Sequence, residues 1–156
     1  YLGGHIPHGF RGRATLNRMD SLSPDQRSER MSRVRSRDTK PELIVRKLVH
    51  RMGFRFRLHR RDLPGNPDLV FPGRDKIIFV HGCFWHRHGV RCKLTRWPKS
   101  KLDFWKPKLE ENQRRDRRNQ QALRTLGWKV MVVWECQLKE ADKLAERIRR
   151  FLEEER

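Results

Sequence analysis

At 156 residues the chain has the length of about one domain, enough to bury a core without disulfides. Its 38 Lys and Arg against 19 Asp and Glu leave a formal net charge of +19, which points to a polyanionic partner, with nucleic acid first. No apolar run approaches the ~20 residues of a spanning helix and no signal-peptide pattern opens the chain, so a soluble cytoplasmic protein is expected.

In chain order, residues 1–17 mix Gly, Pro, His and Arg without periodicity, and residues 1–20 read as the flexible basic tail of a fragment or processed start. Residues 21–156 read as a single domain, with 21–40 as an arm that embraces phosphates. Up to Arg61 there are 16 Lys or Arg against 5 Asp or Glu. Ser23-Pro24-Asp25-Gln26 combines an N-cap Ser, a Pro at the first helical position and a capping-box Gln, which starts a short helix toward Val34 presenting Met31 among arginines. Thr39-Lys40-Pro41-Glu42 is a second capping box, and Leu43, Ile44, Leu48, Val49 and Met52 predict a helix over 41–52, ended by Gly53. Phe54, Phe56 and Leu58 alternate with Arg55, Arg57 and His59, the period of a half-buried strand. Turns at 63–66 and 72–75 delimit two adjacent core strands, 67–71 and 76–81. After a polar stretch with Pro98, a charged helix is predicted from about Lys108 to Leu126, closed by Gly127. A buried strand over 128–134 and a helix burying Leu144, Ile148, Phe151 and Leu152 follow. The sum is an α/β sandwich with a small mixed sheet flanked by helices.

Chemistry gathers where strands end. Asp68 opens a strand otherwise made of Leu, Val and Phe, so its carboxylate stands at the sheet's edge, where Mg2+ can take one carboxylate, waters and a substrate phosphate. An Asp that only completes the preceding turn would look the same. His81 ends the next strand and His86 follows closely, two imidazoles able to move protons near neutral pH, as phosphodiester hydrolysis requires. The three cysteines cannot all pair with one another. Cys83-x4-His88-x3-Cys92, with Cys136 after a later strand, makes a Cys3His set that closes a tetrahedron and marks a structural zinc. Spacing leaves open an exchange of His86 for His88, and three unrelated buried thiols.

Phe84 and Trp85, flanked by Gly82, Cys83 and His86, are expected to be exposed, with Phe104 and Trp105 ahead of the long helix. In so cationic a chain such aromatics stack on bases or wedge between base steps. Core packing is the plain alternative, and it is the reading taken for Trp128 and Trp134. Arg114-Arg115-Asp116-Arg117-Arg118 reads as a phosphate-facing surface in which Asp116 is also placed to orient a histidine from behind.

Leu63-Pro64-Gly65-Asn66-Pro67-Asp68, Phe79-Val80-His81-Gly82-Cys83-Phe84-Trp85-His86, Glu111-Asn112-Gln113-Arg114-Arg115-Asp116-Arg117-Arg118 and Gly127-Trp128 through Trp134-Glu135-Cys136 resemble the very short patch repair (Vsr) mismatch endonucleases, from about Arg27 to Gln137. The resemblance implies a restriction-endonuclease-like core with a zinc site. It also implies an enzyme that nicks one strand beside a T·G mismatch left by deamination of 5-methylcytosine, initiating repair in a bacterial cytoplasm. Asp68 would bind Mg2+ with the backbone carbonyl of Val80. His81 and His86 would flank the scissile phosphate, with His86 the general base held by Asp116, and Glu42 would support the metal's surroundings. The family's DNA wedge maps onto Phe84, Trp85 and Trp105, with Met31 entering from the opposite groove. The implied partner is double-stranded DNA with a T·G mismatch, bound by a monomer, with mismatch-repair proteins as further partners.

Three departures, at four positions, set the chain apart from the wider pattern. Phe79 and His81 stand where the wider superfamily has an acid and a lysine, Val80 stands where Thr is expected, and Pro41 lies beside Glu42. The residues also admit a sequence-reading nickase of a phage or mobile element, and a zinc-stapled DNA-binding module without activity. Even about 6 phosphate contacts imply a log-log salt slope near −5.

Overall fold

Three strands in the order β1-β2-β3 form the sheet that carries the site in the computed structural model, which describes residues 37–155. The tail 1–20, the helix from Ser23 toward Val34 with Met31, and most of the arm 21–40 lie outside the described residues. The elements are α1 (Lys40–Arg51), β1 (Leu69–Phe71), β2 (Lys76–His81), α2 (Leu102–Thr125), β3 (Lys129–Trp134) and α3 (Ala141–Glu153). β1 pairs with β2 antiparallel and β2 with β3 parallel, so the sheet is small and mixed. Among the described residues no helix is long and apolar enough to cross a membrane.

Thr39, in an extended conformation, accepts the Glu42 N–H on Oγ1 and starts α1. Glu42 answers on the Asp38 N–H at 2.8 Å rather than on the Thr39 amide, and also accepts from Thr39 Oγ1 at 2.8 Å. The buried stripe of α1 is Val45, Leu48, Val49 and Met52, spaced i, i+3, i+4, i+7. Leu43 and Ile44, predicted to be inward, fall outside that stripe and are 43% and 40% exposed.

The strand expected at 54–59 is reduced to one antiparallel bridge, Arg57 to Val70, with N–H···O distances of 2.8 and 3.0 Å. Phe54 is buried and Phe56 packs edge-on against Phe71. His59 turns to a positive φ of 54°, which ends the extended run and leaves Leu58 exposed. β1 begins at Leu69 rather than Pro67, since proline has no N–H for the ladder.

Alternation along the strands gives the sheet two apolar faces. Leu69, Phe71, Ile78, Val80, Met131 and Val133 pack on Val45 and Val49 of α1 and on Leu144, Ile148 and Leu152 of α3. Val70, Ile77 and Phe79, with half-buried Val130 and Val132, pack on Leu123 of α2, Leu63 and Trp128. The result is an α/β/α layering. β3 is less buried than expected, because only Met131 and Val133 are fully covered. The last helix buries Leu144, Ile148 and Leu152, with Phe151 half-covered at the rim. Lys76, buried at the start of β2, donates from Nζ to the carbonyls of Leu152 and Glu154 and so caps α3.

α2 starts six residues before the expected Lys108 and carries Pro107 inside it. A proline there removes one amide near the helix start, which the structure tolerates although the sequence rule for an interior proline argues for a later beginning. Phe104 and Trp105 therefore belong to the first turn of α2 and do not precede it.

Candidate functional site

The parallel pairing ends with His81 opposite Trp134. Strand side chains alternate, so both project from the face covered by α2. Beyond His81 the chain doubles back through two turns, with the His86 N–H donating to the Gly82 carbonyl at 3.1 Å and the His88 N–H to the Cys83 carbonyl at 3.2 Å. A Cβ at Gly82 would stand 3.3 Å from Trp85 Cδ1, so any larger residue there would crowd the indole. Glu135 Oε2 accepts the Cys83 N–H at 3.3 Å and ties the loop to the end of β3.

Helix α2 holds the loop from the other side. Asn112 Nδ2 donates to the Trp85 carbonyl, Gln113 Nε2 donates to the Arg87 carbonyl, both at 3.3 Å, and Asp116 meets His86. Arg114, Arg115, Arg117 and Arg118 on the same helix are exposed. The segment thus sorts into an inward polar face and an outward cationic one.

His86 Nδ1 and Asp116 Oδ2 are 2.5 Å apart. A carboxylate only accepts, so Nδ1 carries the proton, and in the neutral ring Nε2 is left with the lone pair. The His86 ring lies face to face with that of His81, centroids 3.9 Å apart at 11°. His81 is buried, and burial lowers its pKa to about 3, helped by the neighbouring His86 and opposed by Asp116, so the ring is neutral.

Asp68 is half-buried at the head of β1, and its Oδ2 accepts the Val80 N–H at 2.7 Å. The contact between these two residues runs through the Val80 amide. Burial raises the Asp68 carboxyl to about 7; the Val80 amide opposes this, Glu42 adds to it, and Arg46 and His86 also lower it. Among the described residues, Asp68 stands outside the two groups of close ligand atoms, which are His81, His86 and Asp116, and the cysteine cluster. The charge of Glu42 reaches Asp68, but its carboxylate is also held in the α1 cap and by Arg46 Nη2 at 3.0 Å.

Cys83, His88, Cys92 and Cys136 bring their ligand atoms within 4.8 Å of one another. His88 Nδ1 is 3.7 Å from Cys83 Sγ and 3.2 Å from Cys136 Sγ. A tetrahedral zinc, with bonds of about 2.3 Å to sulfur and about 2.0 Å to nitrogen, sets its ligands roughly 3.5–3.8 Å apart, so this donor set fits the ion. Burial pushes the Cys83 thiol up to about 12 and also raises Cys136. Cys92 feels the same burial, but hydrogen bonds from Thr95, His88 and the Leu94 amide outweigh it and bring the thiol to about 6. His86 stays with Asp116 and outside the sulfur cluster.

Phe84 and Trp85, expected to be exposed, are half-buried because they pack on each other and on Trp105, centroids 5.2, 5.7 and 5.9 Å apart, all edge to face. Phe104 joins Trp105 at 5.2 Å and is 57% exposed, making it the open edge of the cluster. Trp128 packs in the α2-side core. Trp134, also read as core packing, instead stacks on His88 at 4.2 Å and 15° and meets His81 edge-on at 5.3 Å. A signal for this was present in the sequence, since Trp134 is two residues from Cys136.

A family model described as DNA mismatch endonuclease Vsr matches residues 19–93. The chain is 53% identical over 134 residues to the type II nicking enzyme V.XorIIP of Xanthomonas oryzae pv. oryzae, covering 86% of this chain and 97% of that one. It is 40% identical over 135 residues to the type II nicking enzyme V.NmeAIP of Neisseria meningitidis, covering 86% and 95%. It is 41% identical over 120 residues to the DNA mismatch endonuclease Vsr of Escherichia coli, covering 77% and 76%.

Proposed function

This chain belongs to the family of the DNA mismatch endonuclease Vsr and is a DNA endonuclease, and we propose that it nicks one strand of duplex DNA beside a T·G mismatch. The observation that carries this reading is the bond from His86 Nδ1 to Asp116, which leaves Nε2 as a proton acceptor beside the His81 ring. His86 takes the proton from the attacking water, and Asp116 holds the ring and balances the imidazolium that forms. His81 stays neutral, so it lines the phosphate without a second positive charge that would weaken His86 as a base.

Asp68 and the Val80 carbonyl would hold Mg2+, which supplies, when bound, Lewis-acid charge on the phosphate. The Val80 amide keeps the Asp68 carboxylate aimed from the strand end, and Glu42 supports it from the α1 cap. Cys83, His88, Cys92 and Cys136 would hold a structural zinc that staples the loop carrying His86. The mixed sheet between helices is read as a restriction-endonuclease-like core.

A T·G pair stacks poorly and costs less to open, so a wedge can sense it by deformability. Phe84, Trp85 and Trp105 form that wedge, with Met31 assigned to the opposite groove and one protein copy acting on one duplex. A second reading, nicking that follows sequence and ignores mismatches, stands beside it because the two relatives at 53% and 40% identity are named as nicking enzymes, with no mismatch in the name. Cutting matched and T·G duplexes of the same flanking sequence with Mg2+ separates the two. Cleavage confined to the T·G duplex supports mismatch nicking, and equal cleavage of both supports the sequence reader.

A further inference from the structure

We propose that Trp134 is a positioning residue for strand nicking, its indole fixing the His81–His86 stack against the cysteine-bound loop. Four rings lie in continuous contact. His88 stacks on Trp134 at 4.2 Å, Trp134 meets His81 edge-on at 5.3 Å and 78°, and His81 stacks on His86 at 3.9 Å. All three separations fall below the roughly 7 Å limit for interacting ring centroids. At one end His88 belongs to the sulfur cluster, and at the other His86 is bonded to Asp116 of α2.

Trp134 and His81 also have contacts of their own. The Trp134 backbone is set by its pairing opposite His81 and by its N–H donating to Gln137 Oε1 at 3.0 Å. The His81 ring is walled by Phe79 at 5.6 Å, by His86 and by Trp134, so removing the indole opens one of three sides. An indole suits the place because its two fused rings cover an imidazole with one face and still present an edge to a second. Leucine offers neither a face nor an edge, and phenylalanine offers a smaller version of both.

The inference rests on the reading of His81 and His86 as groups at the scissile phosphate. Trp134→Leu and Trp134→Phe test it through nicking kcat and KM, bound zinc, duplex affinity and histidine-selective NMR spectra. In Trp134→Leu, kcat falls about a hundredfold, the loss that a displacement of about 1 Å at reacting groups can cause. KM, duplex affinity and zinc content stay at wild-type values, and the His81 and His88 ring resonances lose the indole's ring-current shift. Trp134→Phe recovers part of kcat, and if Trp134→Leu does not fold, an intermediate kcat at full zinc in Trp134→Phe carries the test. Wild-type kcat in the folded variants overturns the proposal, as does a kcat loss that only tracks lost zinc. His86→Ala separates this from a failure of the site reading: an active His86→Ala removes the reading itself, whereas an inactive His86→Ala beside fully active Trp134 variants removes only the role of the indole.

Discussion

His81 and Trp134 close the parallel pairing of β2 and β3 as Cα partners, and Cys83 and Cys136 each follow two residues later. With a side-chain period of two, His81 and Trp134 both project from the face that α2 covers, and the two cysteines lie just past the strand ends. One register therefore sets His81 against Trp134 and brings the ends that carry Cys83 and Cys136 side by side. A slip of one residue in either strand would turn its member of the His81–Trp134 pair to the other face and break the contact.

Cys136→Ser tests the staple. The variant should lose bound zinc and, because a structural zinc site couples to folding, its Tm should fall by roughly 10 °C or more, with nicking and duplex binding lost together. Metal analysis beside a thermal melt checks this, and a variant that keeps its Tm and its zinc counts against the ligand set.

Asp116→Asn should leave the fold and duplex affinity near wild type and lower nicking by about a hundredfold or more, the usual size of a general acid–base contribution. An amide can donate to His86 Nδ1 and select the wrong tautomer, which the carboxylate cannot do. Single-turnover cleavage with saturating enzyme reads the effect, and an undiminished rate would remove Asp116 from the mechanism.

Asp68 and His81 give opposite pH dependences to the protein without Mg2+. Asp68 is raised from 3.8 to about 7, so the stability it contributes is fully present below about 4 and is lost as pH rises through about 7. His81 is lowered from 6.5 to about 3, so its contribution is present above about 6.5 and is lost as pH falls toward 3. Asp68→Asn removes the first limb only. In Mg2+-free buffer it should melt higher than wild type at about pH 8, the two should converge near pH 4, and added Mg2+ should stabilise wild type alone. A variant that melts below wild type at about pH 8 contradicts the burial of a charged Asp68.

Much of this was legible in the sequence because local rules decided it. The capping box placed α1, the turn at 72–75 placed β1 beside β2, and cysteine spacing around His88 gathered the sulfur donors. Tertiary contacts decided the rest. Phe84 and Trp85 have the flanks of exposed residues but cover each other and Trp105 once α2 begins at Leu102. Leu43 and Ile44 count as apolar in any periodicity, yet Val45 and Val49 face the sheet, since only the stripe through 45, 48, 49 and 52 can meet a flat surface. Trp134 reads as an ordinary strand tryptophan until the register sets it opposite His81.

The aromatic wedge makes a quantitative expectation. Trp85→Ala and Trp105→Ala should each weaken T·G duplex binding by about tenfold, within the roughly 1–3 kcal/mol that a base–aromatic stack contributes, and affect a matched duplex less. Phe104→Ala, at the exposed edge of the cluster, should have the smaller effect. Fluorescence anisotropy with the two duplexes measures it, and equal losses on both would make the cluster a packing feature only.

One loop divides its labour, with His88 among the sulfurs and His86 paired with Asp116. The most direct test of that division is His86→Ala assayed in one preparation for zinc content, T·G duplex affinity and Mg2+-dependent nicking. The expected result is full zinc, wild-type affinity and cleavage reduced by about a hundredfold or more. Zinc lost from His86→Ala, or cleavage retained, would contradict it.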